Sequence, residues 1–394
     1  MFYKENDIVI TSAVRTAIGS QGGSLKNMHS HDLGSKVIKE SLVRSKLKTV
    51  EIDEVVLGQV LTGGTGQNPA RQAAIKANLP IDKTAYVINR VCGSGLRSVA
   101  AGYQAIISKD SNIVIAGGQE NMSRAPHVIN VRNKKKIKEK NLINSVIKDG
   151  LWDAFNDYHM GVTAENVAKK YKINRREQDQ FAFESQKKTE KAQKENKFND
   201  EIIPINIKFN NKKFTFKKDE HPRNDVSLEI LERLKPVFKK HGTVTAGNSS
   251  GINDGAAAVV LMTHSESEKR NLVPLAKIVS WATCGVDPSL MGLGPIPASK
   301  LALQKAGWGI EDIDLIEANE AFAAQSLAVI KQLGLPKEKV NVNGGAIALG
   351  HPIGASGARI LVTLVHEMNK RDAKKGLVTL CIGGGMGIAM CIER

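Results

Sequence analysis

The chain has 394 residues, more than one hydrophobic core normally organises, so two or three domains are expected. Its composition, 41% hydrophobic and 24% charged, is that of a globular protein, and no apolar run approaches the ~20 residues of a membrane span. The net charge of +16 indicates a solvated, lysine-rich surface or attraction to an anionic partner, and the 5% aromatic content and lack of a recognition motif disfavour nucleic acid.

Apolar spacing predicts that strands and helices alternate at both ends of the chain. The N-terminal elements are strands at 8–13, 55–60, 85–91 and 113–117, with helices at 32–44, 69–77 and 96–108. The C-terminal elements are strands at 276–282, 315–319, 339–342 and 376–381, with helices at 297–306, 321–333 and 354–369. Such alternation predicts an α/β fold with largely parallel sheets.

The two ends also repeat one another. Segment 50–59 aligns with segment 310–319 without a gap. Cys92 follows the end of the first segment by 33 positions, and His351 follows the end of the second by 32. The common order of these matches indicates two related α/β halves, with Cys92 and His351 at equivalent turns. Ligands of parallel sheets bind beyond the carboxyl ends of the strands, where both turns are expected.

The middle of the chain is polar, lysine-rich and less regularly patterned. Its charge runs at 134–140 and 212–218 and a polar helix at 187–197 fit the solvated faces of an inserted region. The predicted domains are an N-terminal half at 1–122, an inserted domain at 123–249, a return to the N-terminal half at 250–272 and a C-terminal half at 273–394.

Cys92 lies in the segment 91–96, Val-Cys-Gly-Ser-Gly-Leu, between a predicted strand and a predicted helix. The unpaired N–H groups and dipole of a helix N-terminus favour the thiolate, a strong nucleophile whose commonest use is acyl transfer. A buried structural cysteine explains this segment equally well when it is taken alone.

Three further clusters lie at predicted strand ends. His351 follows a glycine-rich segment, Cys381 ends an apolar strand before the glycine loop 383–387, and Asn319 opens the tetrapeptide Asn-Glu-Ala-Phe. A cysteine nucleophile, a histidine base and a second thiol that carries a proton suffice for a two-step acyl transfer. Each cluster alone is compatible with a structural role, but their combination favours catalysis.

Together these motifs resemble those of the thiolase family over nearly the whole chain. The motifs lie at 91–96, 116–123, 159–161, 244–255, 285–288, 291–298, 319–322, 344–357 and 381–387. The resemblance implies the thiolase fold: two similar βαβαβαββ halves, each with a five-stranded sheet, in a five-layered α-β-α-β-α arrangement with an inserted loop domain. Within the family the chain is similar to the biosynthetic branch, which condenses two acetyl-CoA molecules to acetoacetyl-CoA and coenzyme A.

The resemblance implies a role for each catalytic position. Cys92 would be the acylated nucleophile, His351 its base, and Cys381 the acid and base at the α-carbon. Asn319 would hold a water that forms one oxyanion site with His351, and the backbone N–H groups of Cys92 and Gly383 would form the other.

Coenzyme A thioesters are the implied substrates, without a further cofactor and without a metal, and their phosphates fit the basic charge of the chain. The positions expected to contact coenzyme A are His159, Met160, Arg223, Ala246, Ser250, Ala321 and Phe322. Met291 is expected against the acyl pocket, where it leaves room for short chains only.

The family also implies a homodimer or homotetramer. Two positions depart from its pattern: Arg90 stands where many members have glutamine, and the segment 130–140 is more lysine-rich than the one that joins dimers into tetramers. The N-terminal sequence lacks signal or transit features, and the four cysteines lack paired spacing, which predicts a cytoplasmic protein.

Three other functions are compatible with parts of this pattern. A degradative 3-ketoacyl-CoA thiolase uses the same residues in reverse on longer chains, and His159, Met160 and Met291 favour the short-chain type over it. A ketoacyl synthase shares the fold but would need two histidines with its cysteine. A basic nucleic-acid-binding protein would explain the charge but none of the clusters.

Overall fold

The computed structural model describes residues 3–130, 141–209 and 212–394. The charge run predicted at 134–140 therefore lies outside the described residues. No helix in the described ranges has the length and apolar character needed to cross a membrane.

The strands follow the predicted positions at both ends of the chain and add short pairs in the middle. They are β1 (Ile8–Thr16), β2 (Gly19–Ser20), β3 (Glu54–Gly58), β4 (Thr84–Ile88), β5 (Val114–Asn121), β6 (His127–Val128), β7 (Ile143–Asn144), β8 (Trp152–Asp153), β9 (Tyr158–His159), β10 (Ile202–Ile203), β11 (Ile205–Phe209), β12 (Lys212–Phe216), β13 (Asn253–Thr263), β14 (Ala276–Gly285), β15 (Leu315–Ala318), β16 (Lys375–Ile382) and β17 (Met386–Glu393).

The helices predicted at both ends of the chain begin and end within a few residues of the predicted bounds. They are α1 (Ser30–Arg44), α2 (Pro69–Lys76), α3 (Ser94–Ile107), α4 (Met160–Tyr171), α5 (Arg175–Lys194), α6 (Leu228–Glu232), α7 (His264–Lys269), α8 (Pro295–Ala306), α9 (Ala323–Leu333), α10 (Ala346–Leu349) and α11 (Ser356–Arg371). The polar helix expected at 187–197 is the second half of α5, which begins with a capping box between Asn174 and Glu177.

The two halves share one strand topology. The first sheet has the order β1-β13-β5-β3-β4, with β13 antiparallel to both of its neighbours and β5, β3 and β4 mutually parallel. The second has the order β14-β17-β16-β15, with the same orientations, and Val340 forms a parallel bridge to Ile316 beyond β15. This identity of order and direction supports the duplication inferred from the sequence.

The prediction of a strand at 339–342 is wrong, since only the single bridge of Val340 forms there. Asn341 has a φ of +44°, which is incompatible with an extended strand. Its side chain instead accepts a hydrogen bond from Ala318 N (2.9 Å) and donates one to Ala318 O (2.8 Å). A side-chain amide therefore replaces the backbone ladder at this edge of β15.

Five layers result from the packing of the two sheets. The strands β1 and β14 join the sheets through the antiparallel pairs Val9 with Lys277 and Ile10 with Ala276. Alternation along β13 shows the layering: Val259 packs in the central core around α3 and α11, and Val260 packs in the outer core beneath α1 and α2. The helices α8 and α9 cover the outer face of the second sheet. The predicted α-β-α-β-α arrangement is confirmed.

The inserted region is tied to the first half by a buried ion-pair network. Arg15 of β1 contacts Glu201 (2.7 Å) and Asp219 (2.7 Å), and all three side chains are buried. Loss of one partner from such a buried pair costs about 3–5 kcal/mol because a charge is left uncompensated. The insert also adds β10 to the sheet, parallel to β1. Its limits at 123 and 249 stay a prediction.

Candidate active site

Cys92 lies in a tight turn between β4 and α3. Val91 just before it has a φ of +44°, a strained conformation for a β-branched residue and one that proteins retain mainly at functional sites. The turn is held by Ser94, whose Oγ accepts a hydrogen bond from Arg90 N (2.8 Å) and donates one to Val91 O (2.6 Å). Ser94 therefore fixes the backbone of the turn.

The ionisation of Cys92 differs from the expectation. Burial raises the pKa of the Cys92 thiol to about 11, and the backbone N–H groups of Gly383 and of Cys92 itself lower it only in part. The prediction that the helix N-terminus makes a resting thiolate is therefore wrong, because desolvation outweighs the N–H groups. The free enzyme holds a neutral thiol that needs a base.

His351, the base predicted from the sequence, has a defined tautomer. Its Nδ1 lies 2.6 Å from Ser356 Oγ, and Ser356 Oγ donates its one proton to Pro352 O (2.8 Å). The hydroxyl must therefore accept from Nδ1–H, which leaves the lone pair on Nε2. Nε2 has no hydrogen-bond partner among the described residues, and the backbone N–H of His351 is fixed on Asn253 Oδ1 (2.9 Å).

Burial keeps this imidazole neutral. Burial is the main cause, and together with the positive charge of Arg359 it lowers the pKa of His351 to about 3. The Cys92 thiol and the His351 imidazole are therefore both neutral at rest.

Cys381 enters the same site from the second half. It lies near the end of β16, before the turn 383–385, in which Gly384 and Gly385 both have a φ of +85° that only glycine adopts readily. Gly383 of this turn places its N–H on the Cys92 sulfur. Burial raises the pKa of Cys381 far above its usual value, and the neighbouring Cys92 adds to the shift. The two thiols are therefore close enough to influence each other.

Asn319 follows β15 and points an unsatisfied amide into the interior. The backbone N–H of Asn319 donates to Thr379 O (2.9 Å), and Asn319 is 1% exposed. Neither Oδ1 nor Nδ2 has a hydrogen-bond partner within the described part of the chain. Because an unpaired buried polar group costs about 1–3 kcal/mol, such an amide is suited to a polar ligand or a water.

An apolar cluster around Cys381 contains four of the eight residues predicted to contact substrate. The buried members are Met160, Ala164, Val244, Met291, Ala321, Phe322 and Cys381. Phe238 packs on this cluster, with the ring of His159 stacked on it at 4.6 Å and the ring of Phe322 edge-on at 6.2 Å. Met160 and Met291 thus line one apolar surface beside the second thiol.

The remaining predicted contacts lie nearer the solvent. Ala246 is exposed, and half-buried Ser250 donates its backbone N–H to Ala321 O (3.0 Å), which ties the end of the insert to the turn after Asn319. Arg223 is exposed and lies outside the apolar cluster, with its backbone N–H on Gln186 Oε1 (3.0 Å).

The sequence did not single out Ser356, Asn253 or Phe238. Ser356 lies within the motif 344–357, so the motif contained the residue but not its hydrogen bond to His351. Asn253 is likewise within 244–255. Phe238 lies in a polar stretch without apolar periodicity, so no sequence signal pointed to it.

Family models agree with this architecture. The thiolase N-terminal domain matches residues 8–265, and the thiolase C-terminal domain matches residues 272–394. The chain belongs to the thiolase family, and the enzyme class predicted from the sequence, an acyltransferase, is confirmed with it.

Proteins similar to this chain match it over nearly their full length. The acetyl-CoA acetyltransferase of Paracoccus denitrificans is 58% identical, over 98% of this chain and 99% of that protein. The rat protein named acetyl-CoA acetyltransferase, cytosolic, is 54% identical, over 98% of each chain. Among solved structures, the Bacillus anthracis acetyl-CoA acetyltransferase covers 100% of both chains with 44% identity and a TM-score of 0.96. Human mitochondrial 3-ketoacyl-CoA thiolase covers 99% of both chains with 43% identity and a TM-score of 0.95.

Proposed function

We propose that this chain is an acetyl-CoA acetyltransferase, which condenses two acetyl-CoA molecules to acetoacetyl-CoA and coenzyme A and also runs the reverse thiolysis. The observation that carries the proposal is that two thiols, Cys92 and Cys381, lie close enough to influence each other, and that Cys92 packs against the turn which carries a neutral imidazole, His351. The names of the Paracoccus and Bacillus proteins support the same substrate.

In the first half-reaction, Cys92 Sγ attacks the thioester carbonyl while its proton moves to Nε2 of His351. The N–H groups of Cys92 and Gly383 are the proposed donors to the oxyanion, at roughly 3–4 kcal/mol for each donor. The C–S bond to coenzyme A breaks and the acetyl group remains on Cys92. Cys381 is a neutral thiol at rest, so it can supply the proton that the leaving sulfur needs.

This proton transfer prepares the second half-reaction, because Cys381 is a base only after it has become a thiolate. It then removes an α-proton from the second acetyl-CoA, and Asn319 with His351 stabilises the enolate oxygen through a bound water. The carbanion attacks the acetyl carbonyl on Cys92. The Cys92 sulfur leaves with the proton held on His351, which returns all three residues to their starting states.

Short substrates are favoured by the apolar cluster beside Cys381. Met291 is 3% exposed and Met160 is 5% exposed, so both fill the space next to the second thiol. A degradative enzyme of broader chain length is the second candidate, because the structure of human mitochondrial 3-ketoacyl-CoA thiolase superposes almost as well as that of the Bacillus enzyme.

A thiolysis assay with acetoacetyl-CoA, 3-ketohexanoyl-CoA and longer 3-ketoacyl-CoAs side by side tests the proposal. We expect kcat/KM to fall by about an order of magnitude or more from the four-carbon to the six-carbon substrate, at ~1–3 kcal/mol for each excluded methylene. A flat profile, or one that rises with chain length, would favour the degradative enzyme.

Coenzyme A thioesters are the proposed substrates, with no separate cofactor. A homodimer or homotetramer is supported by the first sheet, where β4 is the edge strand in the described residues and Tyr86 on it is 38% exposed. A cytoplasmic location is supported by the name of the rat relative and by the four free cysteines, which suit a reducing compartment.

A further inference from the structure

A buried carboxylate occupies the position in the first half that Cys381 occupies in the second. Glu120 lies two residues beyond Gly118, the partner of Gly58 in the β3–β5 pair. Cys381 lies two residues beyond Thr379, the partner of Ala318 in the equivalent β15–β16 pair. Glu120 is 0% exposed, and the proposed chemistry gives it no role.

Its two oxygens bind three backbone N–H groups from two different turns. Oε2 accepts from Val60 N (3.0 Å) and from Gly354 N (3.0 Å), and Oε1 accepts from Leu61 N (3.3 Å). Val60 and Leu61 follow β3 in the first half, whereas Gly354 follows His351 in the second. One carboxylate therefore bridges the turn that carries the base and the sheet that carries the nucleophile.

The backbone around this bridge is packed too closely for side chains. A methyl group on Gly354 would lie 2.6 Å from Glu120 Oε2 and 2.7 Å from the Cα of Gln59. A methyl group on Gly95, in the first turn of α3, would lie 2.8 Å from Ala358 N in the first turn of α11. The Cys92 and His351 turns are thus in contact through backbone, and a displacement of one is transmitted to the other.

Glu120 also acts on the nucleophile through its charge. Burial raises the pKa of Glu120 to about 7, against the three N–H groups that lower it, and Asp254 on β13 adds to the rise. The carboxylate in turn raises the pKa of Cys92. Cys381 of the second half is a neighbour of Cys92. Burial remains the main cause of the raised pKa of Cys92, and the charge of Glu120 makes the smallest contribution to it.

We propose that Glu120 is a positioning residue, which clamps the His351 turn to the first half through Gly354, Val60 and Leu61. This rests on the proposed roles of Cys92 and His351. The clamp sets the geometry of proton transfer between the two turns. Residues that contact coenzyme A are not part of it, so substrate binding is unaffected.

The test separates the span of the side chain from its charge. Glu120→Gln removes the charge, and Glu120→Asp keeps the charge but is one methylene too short to reach all three donors. Asp53→Asn is the matched control. Asp53 accepts hydrogen bonds from Asn112 N (2.8 Å) and Ile113 N (3.0 Å) at the opposite ends of β3 and β5.

Both Glu120 variants should lose about 100-fold in kcat for acetoacetyl-CoA thiolysis, with KM within about twofold, since a displaced base impairs chemistry and not binding. Iodoacetamide alkylation of Cys92, followed by mass spectrometry, should stay within about twofold of the wild-type rate in both Glu120 variants, because burial and not the clamp is the main cause of the raised Cys92 pKa. Asp53→Asn should match the wild type in both measurements.

Wild-type kcat in Glu120→Gln would overturn the proposal. So would much faster alkylation of Cys92 in both Glu120 variants, or a Glu120→Gln protein that fails to fold while Asp53→Asn folds, because Glu120 would then hold the fold of the site rather than position the base. A wild-type protein that is inactive on acetoacetyl-CoA would reject the proposed function instead.

Discussion

The Cys92 turn and the His351 turn occupy equivalent places in two halves of identical strand order, yet one presents a thiol and the other an imidazole. Each turn is held by a serine hydroxyl. Ser94 makes both of its hydrogen bonds with the backbone of its own turn, whereas Ser356 accepts a hydrogen bond from Nδ1–H of His351. The shared backbone therefore determines where the thiol and the imidazole lie. The contact of Ser356 with His351 determines which ring nitrogen carries the proton.

A second pair of equivalent positions differs in the same manner. Glu120 binds three backbone N–H groups and holds the turns together, while Cys381 makes no comparable clamp and is free to carry a proton. Equivalent strand ends thus carry a hydrogen-bonded carboxylate in one half and a buried thiol in the other.

The largest effect is expected at the nucleophile. Cys92→Ala should lower turnover by about four orders of magnitude or more and abolish the acetyl label that acetyl-CoA leaves on the enzyme, because no other group can form the thioester. Peptide mapping after incubation with labelled acetyl-CoA measures this directly. A label on Cys284 or Cys391, with Cys92 unlabelled, would contradict the assignment.

Cys381→Ala should separate the two half-reactions. The acetyl-enzyme should still form, while condensation and exchange of the α-protons of acetyl-CoA should fall by about 10³-fold, because the base at the α-carbon is lost. Label incorporation and deuterium exchange measured on the same preparation give both quantities. Near-normal condensation would remove Cys381 from the chemistry and leave the second half without a catalytic thiol.

Ser356→Ala should cost more than Ser94→Ala, although both remove a buried hydroxyl from an equivalent turn. Without Ser356 the imidazole is no longer held with its proton on Nδ1, so acylation of Cys92 should slow by about 100-fold, with little change in KM. Ser94→Ala should alter acylation by about tenfold at most. Equal losses in stopped-flow acylation would show that both serines act only on the backbone.

Met291→Ala should narrow the preference for short chains. Removal of its side chain opens space beside Cys381, so the ratio of kcat/KM for acetoacetyl-CoA over 3-ketohexanoyl-CoA should fall by roughly tenfold. The measurement is the same thiolysis series applied to both proteins. An unchanged ratio would place the limit on chain length elsewhere than in the apolar cluster.

The smallest effect concerns the basic surface. KM for acetoacetyl-CoA should rise with ionic strength while kcat changes little, because the Debye length falls from ~10 Å at 0.1 M to ~3 Å at 1 M. Arg223→Ala should raise KM a few-fold further and flatten this dependence. A KM that does not respond to salt would make the positive charge a feature of solubility alone.

Much of the fold followed from the sequence because its signals are local. Apolar spacing located α1, α3 and α11. The similarity of segments 50–59 and 310–319 indicated two related halves, and the strands of the two halves have the same order. The glycine-rich segments around Cys92, His351 and Cys381 located the turns, since a strand that ends in glycines before a helix marks a tight turn wherever it occurs.

Only the tertiary structure decided the state of the site. The sequence predicted a thiolate at Cys92, and burial made it a thiol with a pKa of about 11. It predicted a strand at 339–342, and the side chain of Asn341 replaced the ladder. It could not assign the proton of His351, which depends on Ser356. Desolvation and hydrogen-bond partners arise where distant segments pack together, so no local pattern contains them.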